Sequence, residues 1–376
     1  MEVERGGVPR LCQAAAVLTV ADALAAGSRA LGVPLLAPEE LQGSDRTLVV
    51  RAWAPQGSIV VKLHRDANAE SAVREPAGLE VAGGQGTPRL LAVTDPAGVV
   101  LEDVGTGDDL AELLLGTDPA AAADGLRRWA AALGALHART AACGAQLQEA
   151  LDRSAVRLGL PALPAAGTPA MLARAADALA VGLPLLGVSP SDHALAELRG
   201  LDGLLGGPPQ AWALTPSDAC PDNNRLTSEG LILLDLEGAQ LRHVAWDAAY
   251  LLVPWPSCWC SWRLPVEVAH AALESWRAAV ALPYARDPAF EDDLRTVLLG
   301  WAMTSAGWFV RRAAAQDDPP QPATPTRKAM VQHRLAAVAK LPYRQLPALA
   351  AFAQELLQAT YDAWGEVALE LAPAFR

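Results

Sequence analysis

Positive charge is scarce in this chain. Its 30 Lys and Arg face 42 Asp and Glu, a formal net charge of −12 over 376 residues. Nucleic acid and anionic membrane surfaces both call for a basic footprint, so this balance argues against either as a partner. Long hydrophobic runs are missing too. The apolar run from Ala14 stops at Asp22, and the uncharged, proline-free stretch from Thr296 to Val310 also falls short of the ~20 residues of a membrane span. The leading run, with Glu2, Glu4, Arg5 and Arg10 before it, imitates a secretory leader only weakly, because acidic residues dilute it and no cleavage site stands out. Cysteines number five, an odd count without a C-x-x-C pair, which fits reduced thiols in a cytoplasmic protein better than a disulfide framework. The six histidines form no metal-spaced pair and no Ser-His-Asp set, and there is no G-x-G-x-x-G.

What remains is ample core material. Apolar residues make up 52 % and charged residues 19 %, which excludes disorder as the dominant state, and the length suits roughly two domains of ~100–200 residues. Thr47–Trp53 and Ser58–Leu63 are β-branched runs around the turn material Ala54-Pro55-Gln56-Gly57, so an antiparallel hairpin is expected. A second strand pair is expected at Arg89–Val93 and Val99–Glu102. A helix is expected between the pairs, over roughly Ala69 to Val81, although it contains Pro76. Beyond Gly105, alanine and leucine dominate. Asp118-Pro119 starts a helix on which Leu126, Trp129, Leu133, Leu136 and His137 share one face. Further helices are expected at Pro169–Val181, Pro190–Arg199, Val266–Val280, Asp292–Ala315, Arg327–Lys340 and Leu346–Tyr361, with a proline-rich linker at Asp317–Thr326. The expected division is 1–104 and 105–376.

Between Ala211 and Glu237 the helical half returns to strand patterning. The polar loop Thr215–Asn224 (TPSDACPDNN) stands between the apolar strand at 211–214 and a hairpin of Arg225–Thr227 with Leu231–Leu234. Asp218 and Asn223 are five apart, and Asp235 ends the next strand. Two carboxylates and an amide in this order are what phosphoryl transfer from a metal-bound nucleotide uses: one carboxylate to take the proton of the attacking hydroxyl, and a carboxylate with an amide oxygen to hold the metal.

SDACPDNN followed by LLDLE resembles the catalytic loop and metal-binding segment of the aminoglycoside phosphotransferase family, small-molecule kinases related to protein kinases. The resemblance implies an α+β, bilobal protein kinase-like fold, with a small β-rich N-lobe that binds nucleotide and a larger, mostly helical C-lobe that carries the acceptor site. It implies Asp218 as catalytic base, and Asn223 and Asp235 as ligands of Mg²⁺. Upstream, Lys62 in IVVKL matches the strand lysine that contacts nucleotide phosphates, and Glu75 in REPAGLE matches its glutamate partner. LEDVG, with Glu102 and Val104, is similar to the hinge segment whose backbone meets adenine. Gly43-Ser44-Asp45-Arg46, ahead of the first expected strand, would make Ser44 part of the phosphate cover. Asp247 in WDAAYLLVPWP resembles an aspartate that braces the catalytic loop. The chain departs from the family at Pro216-Ser217, which replaces His-Gly, and at Leu236, where an aromatic residue is common.

Other clusters read as structural. Cys258-Trp259-Cys260 is spaced too tightly for the usual zinc pair. Trp255, Trp259 and Trp262 suit packing, with a substrate platform as the alternative. His137 suits a hydrogen-bonded core position. Cys220 is structural, or open to alkylation if the loop exposes it. Taken together, the resemblance implies a kinase that moves the γ-phosphate of ATP or GTP to a hydroxyl of a small acceptor, cationic if acidic residues line its pocket. The protein would act as a monomer or homodimer. The alternative is a nucleotide-binding pseudokinase of the same fold.

Overall fold

The computed structural model describes residues 18–66, 69–256, 258–315 and 324–376. Cys12, the first half of the run beginning at Ala14 and most of the proline-rich linker lie outside the described residues. The fold mixes helix (54 %) with sheet (15 %). Among the described residues, no helix is long and apolar enough to cross a membrane.

Two compact units make up the chain. The first comprises Met1–Ala72 and Leu91–Asp103, the second Val73–Leu90 and Val104–Arg376. In the first, helix α1 (Val20–Leu31) is opened by a Thr19/Asp22 capping box and closed by Gly32 in the left-handed region. It is followed by β1 (Leu36–Ser44), β2 (Thr47–Ala54) and β3 (Gly57–His64). Helix α2 (Glu70–Ala82) runs through Pro76, and then come β4 (Leu90–Thr94) and β5 (Gly98–Glu102). The sheet order is β1-β2-β3-β5-β4. Both expected strand pairs are present, and the β2–β3 register runs without a break from Thr47↔His64 to Ala54↔Gly57.

Alternation explains the core of this unit. Leu48, Val50 and Ala52 on β2, with Ile59, Val61 and Leu63 on β3, turn one face of the sheet toward Ala23 and Ala26 of α1. Gly27 permits the close approach: a Cβ there would sit 2.6 Å from Leu35 Cδ1 and 2.8 Å from Val61 Cγ2. The structure corrects the expected start of the sheet. The first strand is β1, so Ser44 is its last residue, before the turn to β2, and its hydroxyl meets that of Thr47 at 3.1 Å.

The second unit is mostly helical. It contains α3 (Leu110–Leu115), α4 (Pro119–Arg139), α5 (Gly144–Leu158), α6 (Thr168–Gly182) and α7 (Asp192–Gly200). Four short strands follow: β6 (Trp212–Thr215), β7 (Asn224–Thr227), β8 (Gly230–Leu233) and β9 (Gln240–His243). The chain finishes with α8 (Ala245–Ala248), α9 (Val266–Val280), α10 (Pro288–Ala314), α11 (Arg327–Val338) and α12 (Pro347–Trp364). On α4, Leu126, Trp129, Leu133 and Leu136 are all fully buried, as their spacing predicts. Gly134 of α4 meets α9 so closely that a Cβ would fall 2.6 Å from Trp276 O. From Val73 onward α2 belongs to this unit. Arg74 donates to Ala239 O at 3.1 Å and Pro164 O at 3.2 Å, and a Cβ on Gly78 would lie 2.4 Å from that of Ala239.

Candidate active site

The loop between β6 and β7 is carried by two antiparallel pairs. β6 pairs with β9, from Trp212↔His243 to Thr215↔Gln240, and β7 pairs with β8, from Asn224↔Leu233 to Thr227↔Gly230. The end of α4 holds the loop's entry, since Thr140 Oγ1 accepts from Leu214 N at 3.2 Å. Its exit is held by Asn224, which is fully buried: Oδ1 accepts from Leu110 N at 3.1 Å, and Nδ2 donates to Pro221 O at 2.7 Å. Of the two adjacent amides, Asn224 is therefore a clamp that secures the loop to the N-terminus of α3.

Asn223 has a different part. Its Nδ2 donates to Asp218 O at 2.8 Å, and its carbonyl accepts from Leu234 N at 2.9 Å. The structure thus brings Asp218, Asn223 and the chain entering Asp235 into one neighbourhood. Asp235 takes a left-handed backbone, φ 56°, and its Oδ1 accepts from Glu237 N at 3.3 Å. Cys220 Sγ donates to Asp218 Oδ1 at 3.1 Å. The amide oxygen of Asn223 and the carboxylate of Asp235 are donor types that suit a hard divalent cation such as Mg²⁺.

Ser217 stands at the glycine position of the motif its loop resembles, and its φ of 69° is one that glycine adopts more readily than other residues. The strain is held by every polar atom of the residue. Ser217 N donates to Thr215 Oγ1 at 2.8 Å, and Ser217 O accepts from the Tyr250 hydroxyl at 2.8 Å. Ser217 Oγ accepts from Gln240 Nε2 at 2.6 Å and from Arg242 Nη2 at 3.2 Å.

Asp247 lies beneath this loop, 1 % exposed. Its Oδ1 accepts from Thr215 Oγ1 at 3.1 Å and lies 3.7 Å from Arg242 Nη1, an ion-pair distance longer than a hydrogen bond. His137 Nε2 meets Asp247 Oδ2 at 3.1 Å. Trp276 Nε1 donates to His137 Nδ1 at 3.1 Å, and an indole N–H can only donate. Nδ1 is therefore the acceptor, and Nε2 carries the proton given to Asp247. His137 is the hydrogen-bonded core residue its place on α4 predicts. Arg242, Thr215, Thr140 and Asn224 carry the loop without a local signal in the sequence.

The remaining candidates divide between the units. Lys62, on the face of β3 opposite Val61 and Leu63, pairs across the sheet with Val49 and Val99 and is 8 % exposed. Glu102 ends β5 opposite Ile59 and is exposed. Both belong to the first unit, as does Ser44. Glu75, 1 % exposed on α2, belongs to the second, as does Val104. Buried lysine and glutamate are rare without partners, and each of these two has one. Near the segment that leads to the hinge match, Arg51 grips Asp103 with Nε at 2.8 Å and Nη2 at 3.4 Å, a fork that raises the Arg51 pKa.

The four described thiols are buried. Cys220 is 6 % exposed, so the loop does not offer it for alkylation. Its hydrogen bond with Cys258, together with burial, pushes its pKa well up. Burial acts to raise the Cys258 pKa as well, but hydrogen bonds with Cys220 and Cys260 outweigh it and bring that thiol down to about 6.

No family model matches the chain, and no curated protein matches it. Among solved structures it is similar to a choline kinase from Cryptosporidium parvum Iowa II, at 11 % identity and a TM-score of 0.51 over 85 % of this chain and 93 % of that one. It is likewise similar to a Plasmodium vivax ethanolamine kinase, at 11 % identity and a TM-score of 0.51 over 80 % of this chain and 82 % of that one. A choline/ethanolamine kinase family protein from Mesorhizobium loti aligns at 16 % identity and a TM-score of 0.49, over 85 % of this chain and 93 % of that one. At these identities the likeness is one of fold. The chain shares the fold of these choline and ethanolamine kinase structures.

Proposed function

We propose that the protein is a bilobal kinase of small molecules, with residues 1–104 as the nucleotide lobe and 105–376 as the lobe that carries the catalytic loop and acceptor site. The observation that supports it is the closure of the loop on Asn223, which is hydrogen-bonded to both the Asp218 carbonyl and the strand leading into Asp235. Asp218 orients the acceptor hydroxyl and takes its proton as the oxygen attacks the γ-phosphorus and the bond to the leaving nucleoside diphosphate breaks. Lys62, oriented by Glu75, holds the nucleotide phosphates; Ser44 lies in their cover, and the backbone of Glu102 and Val104 receives the base. Asn223 and Asp235 hold Mg²⁺, which when bound neutralises the β- and γ-phosphates. Lys62 and this cation supply the local positive charge that a chain of net charge −12 otherwise lacks.

The test is turnover of MgATP and MgGTP with a panel of acceptors. Choline and ethanolamine come first because the two fold neighbours carry those names. Amino sugars and neutral alcohols complete the panel. Asp218→Asn should lower kcat by about 10²–10⁴ with the productive acceptor, and unchanged turnover overturns the assignment. Preference for amine-bearing acceptors is the expected outcome for so acidic a protein. Thermal stabilisation by MgATP without turnover on any acceptor identifies the nucleotide-binding pseudokinase instead. No nucleotide binding ends both readings.

A further inference from the structure

The sequence sets Cys258 and Cys260 too close together for a usual zinc pair, but the fold brings two other donors to Cys258. Cys220 Sγ, a carboxylate oxygen of Asp222 and Cys258 Sγ lie within 4.8 Å of one another. Cys258 Sγ is 3.4 Å from Cys260 Sγ and 3.9 Å from Asp222 Oδ1. Ligand atoms of a tetrahedral zinc with Zn–S of ~2.3 Å stand roughly 3.3–3.8 Å apart. The two sulfurs of this set belong to residues only 6 % and 3 % exposed, in the order 220, 258. We infer that Cys220, Asp222 and Cys258 form a structural site for a thiophilic divalent cation, zinc in the first instance, which ties the 216–223 loop to the 254–262 segment.

The surroundings are built for it. Trp259 Nε1 donates to Asp222 Oδ2 at 2.8 Å, orienting the carboxylate as an outer partner does around a bound metal. The Cys258 backbone is fixed at both ends: its N donates to Trp255 O at 3.0 Å, and its O accepts from the Ser261 hydroxyl at 2.8 Å. Two thiolates and a carboxylate around a divalent ion leave excess negative charge, and a buried cation stands beside them. Arg334, 1 % exposed, donates to the carbonyls of Pro254, Trp255 and Pro256, and it interacts electrostatically with Cys258. The donor set separates this site from the one assigned to Mg²⁺. Sulfur selects zinc, and the oxygens of Asn223 and Asp235 select a hard cation.

The experiment needs no phosphotransfer and stands or falls apart from it. The full chain, purified under reducing conditions from zinc-supplemented medium, should hold about one equivalent of zinc per chain by elemental analysis. Exchange into Co²⁺ should give thiolate-to-cobalt charge-transfer absorption, which oxygen ligands at Asn223 and Asp235 do not produce. C258S and C220S should lose both signals, whereas C143S, outside the cluster, should keep them. Chelation of the wild-type protein should lower its melting temperature and loosen hydrogen exchange in the 216–223 and 254–262 segments. The wild-type cobalt spectrum makes the test independent of whether a variant folds. Absence of the charge-transfer band, or intact mass showing a disulfide among these cysteines in the freshly isolated protein, overturns the inference.

Discussion

In the sheet of the first unit, order comes from repetition. Leu48, Val50 and Ala52 face the core beside Ile59, Val61 and Leu63, each residue two along from the last, and α1 seals them. The loop at 216–223 has no such repeat. It is held by single polar contacts from distant positions: Thr140 on Leu214, Leu110 on Asn224, Tyr250, Gln240 and Arg242 on Ser217, and Asp247 through Thr215. A sheet sealed by many similar apolar contacts loses little when one is trimmed. A network in which each buried group has one assigned partner loses much when a member is removed, because the partners left behind are desolvated.

The largest expected effect follows from that difference. Asp247→Ala strands His137, Arg242 and Thr215 at once and should cost about 3–5 kcal/mol in denaturant unfolding, with exchange rising first around 214–217. A loss below about 1 kcal/mol would place the loop with the sheet in its tolerance and break the comparison.

Acid should come next. His243 is fully buried, and burial, opposed by Asp293 3.4 Å away, lowers its pKa to about 4 from the ordinary 6.5. Burial likewise lowers His333 to about 4, together with the charges of Arg334 and Arg263. Between these values the unfolded chain binds a proton that the folded chain refuses. Stability therefore falls as pH drops from about 6.5 toward 4, by up to about 3 kcal/mol per histidine. Denaturant midpoints measured from pH 7 to 5 check this, and a flat profile would show that neither histidine is held neutral. In the sheet, by contrast, Ile59→Val should cost about 0.5–1.5 kcal/mol with no redistribution of exchange elsewhere.

The same contrast explains what the sequence reveals. β2, β3 and the β7–β8 hairpin are legible because alternation and turn residues are local, and α9 was expected over the range it occupies, Val266–Val280. β1 was missed because LAPEELQGS alternates poorly, and its pairing with β2 is interrupted by register shifts. α1 and α3 open on capping boxes, Thr19 with Asp22 and Asp109 with Glu112, a local signal that a sequence carries in four residues. In the candidate site, Asp218, Asn223 and Asp235 stand out by spacing. Their supports do not, because Asp247 answers to residues 110 and 32 positions away. The thiol cluster was hidden for the same reason: Cys258 meets Asp222 across 36 positions.

The finest test of the comparison lies at Ser217, where backbone strain and a polar network meet in one residue. Ser217→Ala keeps the left-handed φ and removes the hydroxyl that accepts from Gln240 and Arg242. Ser217→Gly removes the same hydroxyl but relieves the φ. Both should lose stability, because each leaves two donors without their acceptor. The glycine variant should nonetheless be the more stable of the two, by about 0.5–1 kcal/mol, reduced somewhat by glycine's greater freedom when unfolded. Equal denaturant midpoints would mean that the hydroxyl alone carries the position. An alanine variant more stable than glycine would mean that the loop relaxes its backbone once the network is cut, so that the contacts of Ser217 create the strain they hold.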